Sequence, residues 1–211
     1  MASFRDGLQP GLSPYADDSS GALAPFQGGG PAVPRADAVR NRQRILAAAR
    51  TAFADDGPGV SLDDVARRAG VGPGTVHRHF PTKDALFTAV ITDRLQELAG
   101  LAAGGAGAAD AGAAFFAFLT RMAGEAAQNL ALSAAITDRA GIGEAVQAAG
   151  RDLEAAIAVL LRRAQAAGAV RADLDPAELH AVIAGAVVME QRLPAASKGR
   201  GLRLIADGLA P

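Results

Sequence analysis

The stretch from Ser61 to Lys83, SLDDVARRAGVGPGTVHRHFPTK, decides how the rest of the chain is read. Ser61 followed three residues later by Asp64 has the form of a capping box, with Asp in place of Glu, and places a helix start at Leu62. Val65, Ala66 and Ala69 share one face of that helix, and the small Ala66 lets a neighbour approach closely. Gly70 ends it, because a residue without a Cβ can take the left-handed conformation that turns a chain. Gly72, Pro73 and Gly74 open a second helix: proline suits the first helical turn, and the glycines leave backbone amides uncovered. Pro81 disfavours helical geometry at Phe80, so this helix is short. Val76 and Phe80, four apart, anchor it to a core, which leaves Thr75, His77, Arg78 and His79 to its remaining surface. Thr82 caps a further helix whose first turn carries Lys83.

A hydroxyl, two imidazoles, a guanidinium and an ammonium thus converge near two helix N-termini. Such groups bind a phosphate backbone, and arginine can also address guanine in the major groove. The expectation is a head that reads double-stranded DNA; the plainer alternative is a helical hairpin with a solvated basic rim. Charge distribution favours the first. The chain carries a net charge of −1, yet between Arg35 and Lys83 nine Lys and Arg face five Asp. The basic charge therefore sits on this head and the remainder is acidic.

At 211 residues there is room for one small and one medium domain. Half the residues are hydrophobic but only 4% are aromatic, a surplus of Ala, Val and Leu that favours close-packed helices. Cysteine is absent, which excludes disulfides and thiolate metal sites. No basic region followed by an apolar run marks a secretory signal, and the longest strongly apolar uncharged run, Ala181 to Met189, is far too short to span a membrane. A soluble cytoplasmic protein without cofactor or metal is expected. An enzyme would need a nucleophile with a base, paired carboxylates or a metal cluster, and the pattern offers none: His77 and His79 fall on different helix faces, and Asp55, Asp56, Asp63 and Asp64 sit at helix ends.

Residues 1–35, with five prolines before Arg35 and a GGG run, read as a disordered tail. Arg42 and Arg44, just inside helix 1, are placed to touch flanking phosphates or the minor groove. Helix 1, from about Asp37 to Asp55, carries Ile45, Leu46, Ala49, Ala52 and Phe53 as one stripe. Helix 4 continues the stripe past the head through Leu86, Phe87, Val90, Ile91, Leu95 and Leu98, so it must touch two domains. Gly100, Gly104, Gly105 and Gly107 are expected to break it near residue 99. Further helices are expected near 110–129, 131–139, 143–167, 175–191 and 197–209, about nine in all. The domains divide as 36–83 for the head, 83–99 for helix 4 as linker, and 100–211 for a helical body.

In the body, Phe115, Phe118, Leu119, Met122 and Ile157 are the expected lining of a small-molecule pocket, against the plainer reading of core packing. Asp175, Pro176 and Glu178 mark a helix start. That helix is apolar nearly all round, with Ala181, Ala184, Gly185 and Val188 opposite its main stripe, so its second side is expected to meet another subunit. The expected interface set is Leu179, Val182, Ile183, Ala186, Leu202 and Ile205, in a four-helix arrangement about a two-fold axis. His180 is expected to be an edge or satisfied core residue.

The residues Ile45, Leu46, Ala48, Ala49, Phe53 and Gly57, then Ser61, Val65, Ala66, Ala69, Gly70 and Val71, then Gly74, Thr75, His79, Phe80, Lys83, Leu86 and Phe87 strongly resemble the TetR family (TetR/AcrR type) of bacterial transcriptional regulators. The resemblance covers about 55 residues. It implies an all-α protein with a three-helix helix-turn-helix head, a linking helix 4, and a body that dimerises and holds a small effector. It further implies a repressor released from a palindromic operator. The DNA-contacting set is then Arg42, Arg44, Ser61, Gly72, Pro73, Gly74, Thr75, His77, Arg78, His79 and Lys83. His77 departs from the family, which most often has a phosphate-contacting tyrosine there, and Asp63 places an acid where some members contact DNA. A helical dimer that binds partners without reading DNA is the alternative.

Overall fold

In the computed structural model, which describes residues 34–128 and 143–211, Ser61 caps a helix as its spacing to Asp64 requires: its Oγ accepts from the Asp64 amide at 3.1 Å. All regular structure among the described residues is helical. α1 spans Pro34–Asp56 and ends in a 3-10 turn, Gly57–Gly59. α2, Leu62–Ala69, stops at Gly70, whose φ of 63° is the left-handed turn that only glycine adopts without strain. α3, Pro73–His79, ends before Pro81, and α4 begins at Lys83 behind the Thr82 hydroxyl, which accepts from the Ala85 amide at 3.1 Å. The body follows as α5 (Ala111–Gln128), α6 (Glu144–Ala166), α7 (Pro176–Arg192) and α8 (Arg200–Leu209). The tail through residue 33 and the helix expected at 131–139 lie outside the described residues.

Apolar periodicity places two cores. In the head, Ile45, Leu46, Ala49 and Ala52 of α1 meet Val65, Ala66 and Ala69 of α2, Val76 and Phe80 of the α3 end, and Leu86 and Val90 of α4. Phe53 and Phe87 close its flank edge to face, with ring centres 5.4 Å apart. In the body, Leu95, Leu98, Ala102 and Ala106 of the same α4 pack with Phe115, Phe118 and Met122 of α5, Leu160 and Leu161 of α6, and Leu179 and Ile183 of α7. One helix therefore belongs to both cores.

That helix is longer than its glycines suggest. α4 runs through Gly100, Gly104 and Gly105 to Ala106 and stops only at Gly107. Each interior glycine costs roughly 1 kcal/mol of helix propensity. Against this, burying Leu98, Ala102 and Ala106 returns more, at about 25 cal/mol per Å² of apolar surface. Gly105 also sits where α4 meets its neighbours: an added Cβ would stand 3.5 Å from Leu160 and 3.6 Å from Ala114. Packing, rather than propensity, sets the end of this helix.

At the opposite end of the body Glu190, only 3% exposed, accepts from the Gly199 amide at 2.9 Å, while the Lys198 ammonium donates to the Glu190 carbonyl. This pins the corner between α7 and α8, where Gly201 admits the Met189 side chain into the space a Cβ would fill.

Gly70→Ala should cost about 1–2 kcal/mol, since a Cβ at positive φ crowds the following carbonyl, and its Cβ would also displace the Arg44 guanidinium 2.9 Å away. Chemical denaturation would read this as a lowered midpoint with an unchanged slope.

Candidate nucleic-acid interface

Four of the head's arginines are consumed internally. Arg40 pairs with Asp37, Arg67 with Asp64, and Arg68 with Asp56, while Arg50 reaches Asp93 at 2.9 Å and Glu97 at 3.0 Å. Others have no carboxylate partner among the described residues. Arg44 donates to the Gly70 carbonyl at 3.2 Å, which brings α1 to the turn. The Arg42 guanidinium lies 5.6 Å from the centre of the Phe80 ring, a cation–π contact that keeps its charge at the surface. Arg78 Nε donates to the Gly74 carbonyl at 3.1 Å, which orients the guanidinium along α3. Lys83 and His79 are half-buried and acid-free.

Within α3, Thr75 is half-buried, His77 and Arg78 are exposed, and Gly72, Pro73 and Gly74 form its exposed entry. Neither of these two glycines has a positive φ, and an added Cβ would meet nothing within 4 Å at Gly72 and only the Arg78 guanidinium, at 4.0 Å, at Gly74. Among the described residues nothing requires glycine there. His77 Nε2 lies 3.9 Å from Asp63 Oδ1, so the unexpected acid of α2 sits beside the unexpected imidazole of α3.

Ser61, expected among the DNA-contacting residues, is the N-cap of α2. Its hydroxyl donates to the Asp64 carboxylate at 2.7 Å while capping α2, so its one proton is already committed. The same bond, with Arg67 beside it, holds the Asp64 carboxyl below its usual range.

An ion cluster not anticipated from the sequence joins head to body. Arg50 of α1 forks onto Asp93 and Glu97, one turn apart on α4; Arg94 pairs with Glu97 and also with Glu125 of α5; and Arg121 Nε reaches Glu125 at 3.0 Å. Burial raises the Glu97 carboxyl, but hydrogen bonds from Arg50 and Arg94 outweigh it and leave the group below its ordinary value. The Asp93–Glu97 spacing on one face of a helix was the available signal.

The body residues sort differently from expectation. Leu179, Ile183, Ala186 and Leu202 are at most 5% exposed within the single chain, so they belong to its own core and offer no surface to a second copy. Val182 and Ile205 are half-buried. The outward side of α7 is instead Ala181, Gly185 and Val188, and Leu204 of α8 stands 65% exposed. Phe115, Phe118, Leu119 and Met122 are packed in the body core, whereas Ile157 borders a cavity of about 400 Å³ between α6 and α7. His180, expected as an edge or satisfied core residue, lies on that cavity's wall with its Nδ1 3.5 Å from Glu154 Oε1.

Two short helices joined by a left-handed glycine, backed by a third and presenting acid-free cations outward, define a helix-turn-helix DNA-binding protein. Residues 45–90 match the family model of bacterial regulatory proteins of the tetR family, and residues 110–211 match the C-terminal domain of SbtR-like transcriptional regulators. Among solved structures, a TetR transcription regulatory protein from Mycobacterium vanbaalenii is 41% identical, with 84% of this chain and 99% of that one covered and a TM-score of 0.68. A TetR transcriptional regulator from Streptomyces coelicolor is 32% identical over 81% and 98% of the two chains, also with a TM-score of 0.68. Among curated proteins, the regulator TtgW of Pseudomonas putida is 42% identical over 64 residues, and an HTH-type transcriptional regulator of Staphylococcus aureus is 41% identical over 58. These two matches span 48% and 31% of the relatives' own lengths. The chain belongs to the TetR family of bacterial DNA-binding transcriptional regulators. No helix among the described residues is long and apolar enough to cross a membrane.

Because Glu97 is held charged, its contribution to stability is complete above the ordinary carboxylate pKa, about 4.5, and fades as pH falls through its lower folded value. Arg50→Gln should therefore cost about 1 kcal/mol near neutral pH, and the difference from the parent should shrink towards zero well below pH 4. Thermal denaturation of both proteins across that range would measure the convergence.

Proposed function

We propose that this regulator is a repressor that binds a palindromic operator as a homodimer and is released when a small molecule enters its body. The observation that carries the reading is the set of Arg42, Arg44, Arg78 and Lys83 on α1, α3 and the start of α4, which pair with no carboxylate among the described residues, around glycines whose surroundings there are open. Arg42, Arg44, Thr75, His77 and Lys83 position the head on phosphates, while Gly72, Pro73, Gly74, Arg78 and His79 lie against the base edges. Ser61 acts indirectly, by fixing the start of α2. His77 reaches less far than a tyrosine would, and Asp63 stands 3.9 Å from its Nε2.

Two heads set about 35 Å apart would enter successive major grooves on one face of the duplex. The second copy docks on the outward side of α7 and α8, where Ala181 and Gly185 let helices approach closely and Val188 and Leu204 supply exposed apolar surface. The effector acts on the body, beneath which Phe115, Phe118, Leu119 and Met122 supply a packed floor, and α4 carries the change to the heads. Release demands little: a hundredfold loss of affinity corresponds to about 3 kcal/mol of coupling.

Binding to the DNA flanking the regulator's own gene should be measured at two salt concentrations; absence of binding to any sequence at low salt would refute the reading. Arg78→Ala should relax base preference at a cost of about 1–3 kcal/mol, and Lys83→Ala should weaken all sequences alike and flatten the salt dependence. Gly74→Leu should leave the melting temperature nearly unchanged yet abolish specific binding, because the space it fills is empty only without DNA. Val188→Glu with Leu204→Glu should yield folded monomers by sedimentation, whereas Leu179→Ala should lower stability by about 2–5 kcal/mol instead.

A further inference from the structure

The two acids that open α2 have different surroundings. Asp64 is engaged within the chain: its carboxylate accepts from the Ser61 hydroxyl at 2.7 Å and pairs with Arg67. Asp63 takes part in no hydrogen bond of its side chain among the described residues, and that side chain is 74% exposed. Only His77 of α3 approaches it, with Nε2 3.9 Å from Oδ1, which is beyond hydrogen-bond length. Arg67, one turn further along the same face of α2, is on Asp64 instead. A carboxylate offers about four acceptor positions, so Asp63 has capacity for an incoming donor. An acid in the first turn favours a helix start, but Asp64 supplies that with or without its neighbour.

Asp63 also stands at the rim of the outward face of α3. At about 100° per residue, Gly74 and Arg78 lie opposite the buried Val76, and His77 lies on the flank between them that Asp63 borders. On a duplex, a carboxylate placed there meets phosphates, which repel it, and base edges. In the major groove guanine shows the acceptors N7 and O6, and thymine the acceptor O4; adenine sets its amino donor beside the acceptor N7. Cytosine alone shows a donor with no acceptor of its own next to it. We propose that Asp63 is a specificity-determining residue, which accepts from the amino group of one cytosine in each half-site, directly or through one water, and excludes guanine and thymine from that position. The proposal rests on the DNA-reading assignment of α3 given above and adds an acid to a surface otherwise read as cationic.

The full chain and its Asp63→Ala and Asp63→Asn variants are each used to select duplexes from a random library, and the operator the parent selects is then titrated with all three. The parent motif should hold a cytosine at one symmetric pair of positions, and exchanging it for thymine should weaken parent binding by roughly fivefold or more per half-site, the low end of what one base contact discriminates. Asp63→Ala should reduce that difference to less than about twofold and should bind unrelated DNA more tightly than the parent, because a charge that repels phosphate has gone. Asp63→Asn should move the preference to adenine at those positions and at no others, since an amide can both donate to N7 and accept from the adenine amino group. If Asp63 served only the helix start, both variants would melt at lower temperature and keep every base preference of the parent. That result, or a parent motif without such a cytosine, would overturn the inference and leave the DNA-reading assignment standing. A parent that selects no motif at all would overturn both.

Discussion

A single helix has to satisfy two cores at once. Leu86 and Val90 of α4 are buried with the reading helices, and from Leu95 onward the same helix is buried with the body. An unbroken α-helix is stiff over this length, rising 1.5 Å per residue, so neither core can shift its share of α4 without dragging the other. Two elements of the head are positioned directly from this shared member: α1 lies along it through Phe53 and Phe87, and α3 is tethered to its start through the short Phe80–Thr82 connection; α2 is held in turn by α1 and α3.

The same constraint explains where the charge goes. Polar links add to the apolar joint that α4 makes between head and body. Arg50 is suited to this because its planar fork can meet two carboxylates one helical turn apart, which lysine could not do. Its use there removes one cation from the DNA side. Arg40, Arg67 and Arg68 are removed likewise by acids close in sequence or at the end of α1. The net positive charge of the segment thus overstates the number of cations free to face a phosphate, and the spatial distribution carries the information.

Much of this was legible from residue types alone. The caps at Ser61, Thr82 and Asp175, the left-handed Gly70 and the stripe on α1 are local features, each decided within a few residues, and the structure has them where the sequence puts them. What failed was non-local. The glycines after residue 99 look like a helix end because propensity is local, while the partner that holds them helical, α6, is some fifty residues away. The two apolar sides of α7 were visible, but which one the chain keeps for itself depends on α5 and α8: Leu179, Ile183 and Ala186 went inward, and Ala181, Gly185 and Val188 outward. The Arg50 cluster and the Glu154–His180 pair each join residues on different helices, so no window along the chain contains them.

The joint between head and body also carries a network of linked ion pairs. Arg94 connects Glu97, which Arg50 holds, to Glu125 on α5, and its side chain is only 13% exposed. An exposed ion pair contributes 1 kcal/mol or less, but buried members of a network lose more when one partner is withdrawn, since the remaining charges stay desolvated. Moving α5 against α4 would strain Arg94 first, then Glu97, and through it the grip of Arg50 on α1. Two or three such contacts, each altered by about 1 kcal/mol, equal the coupling that a hundredfold change in DNA affinity requires. Apolar packing at the same joint would be stronger but insensitive to direction, because it tolerates small sliding movements. Charged groups with fixed hydrogen-bond geometry do not, so this network holds α1, α4 and α5 in one defined arrangement.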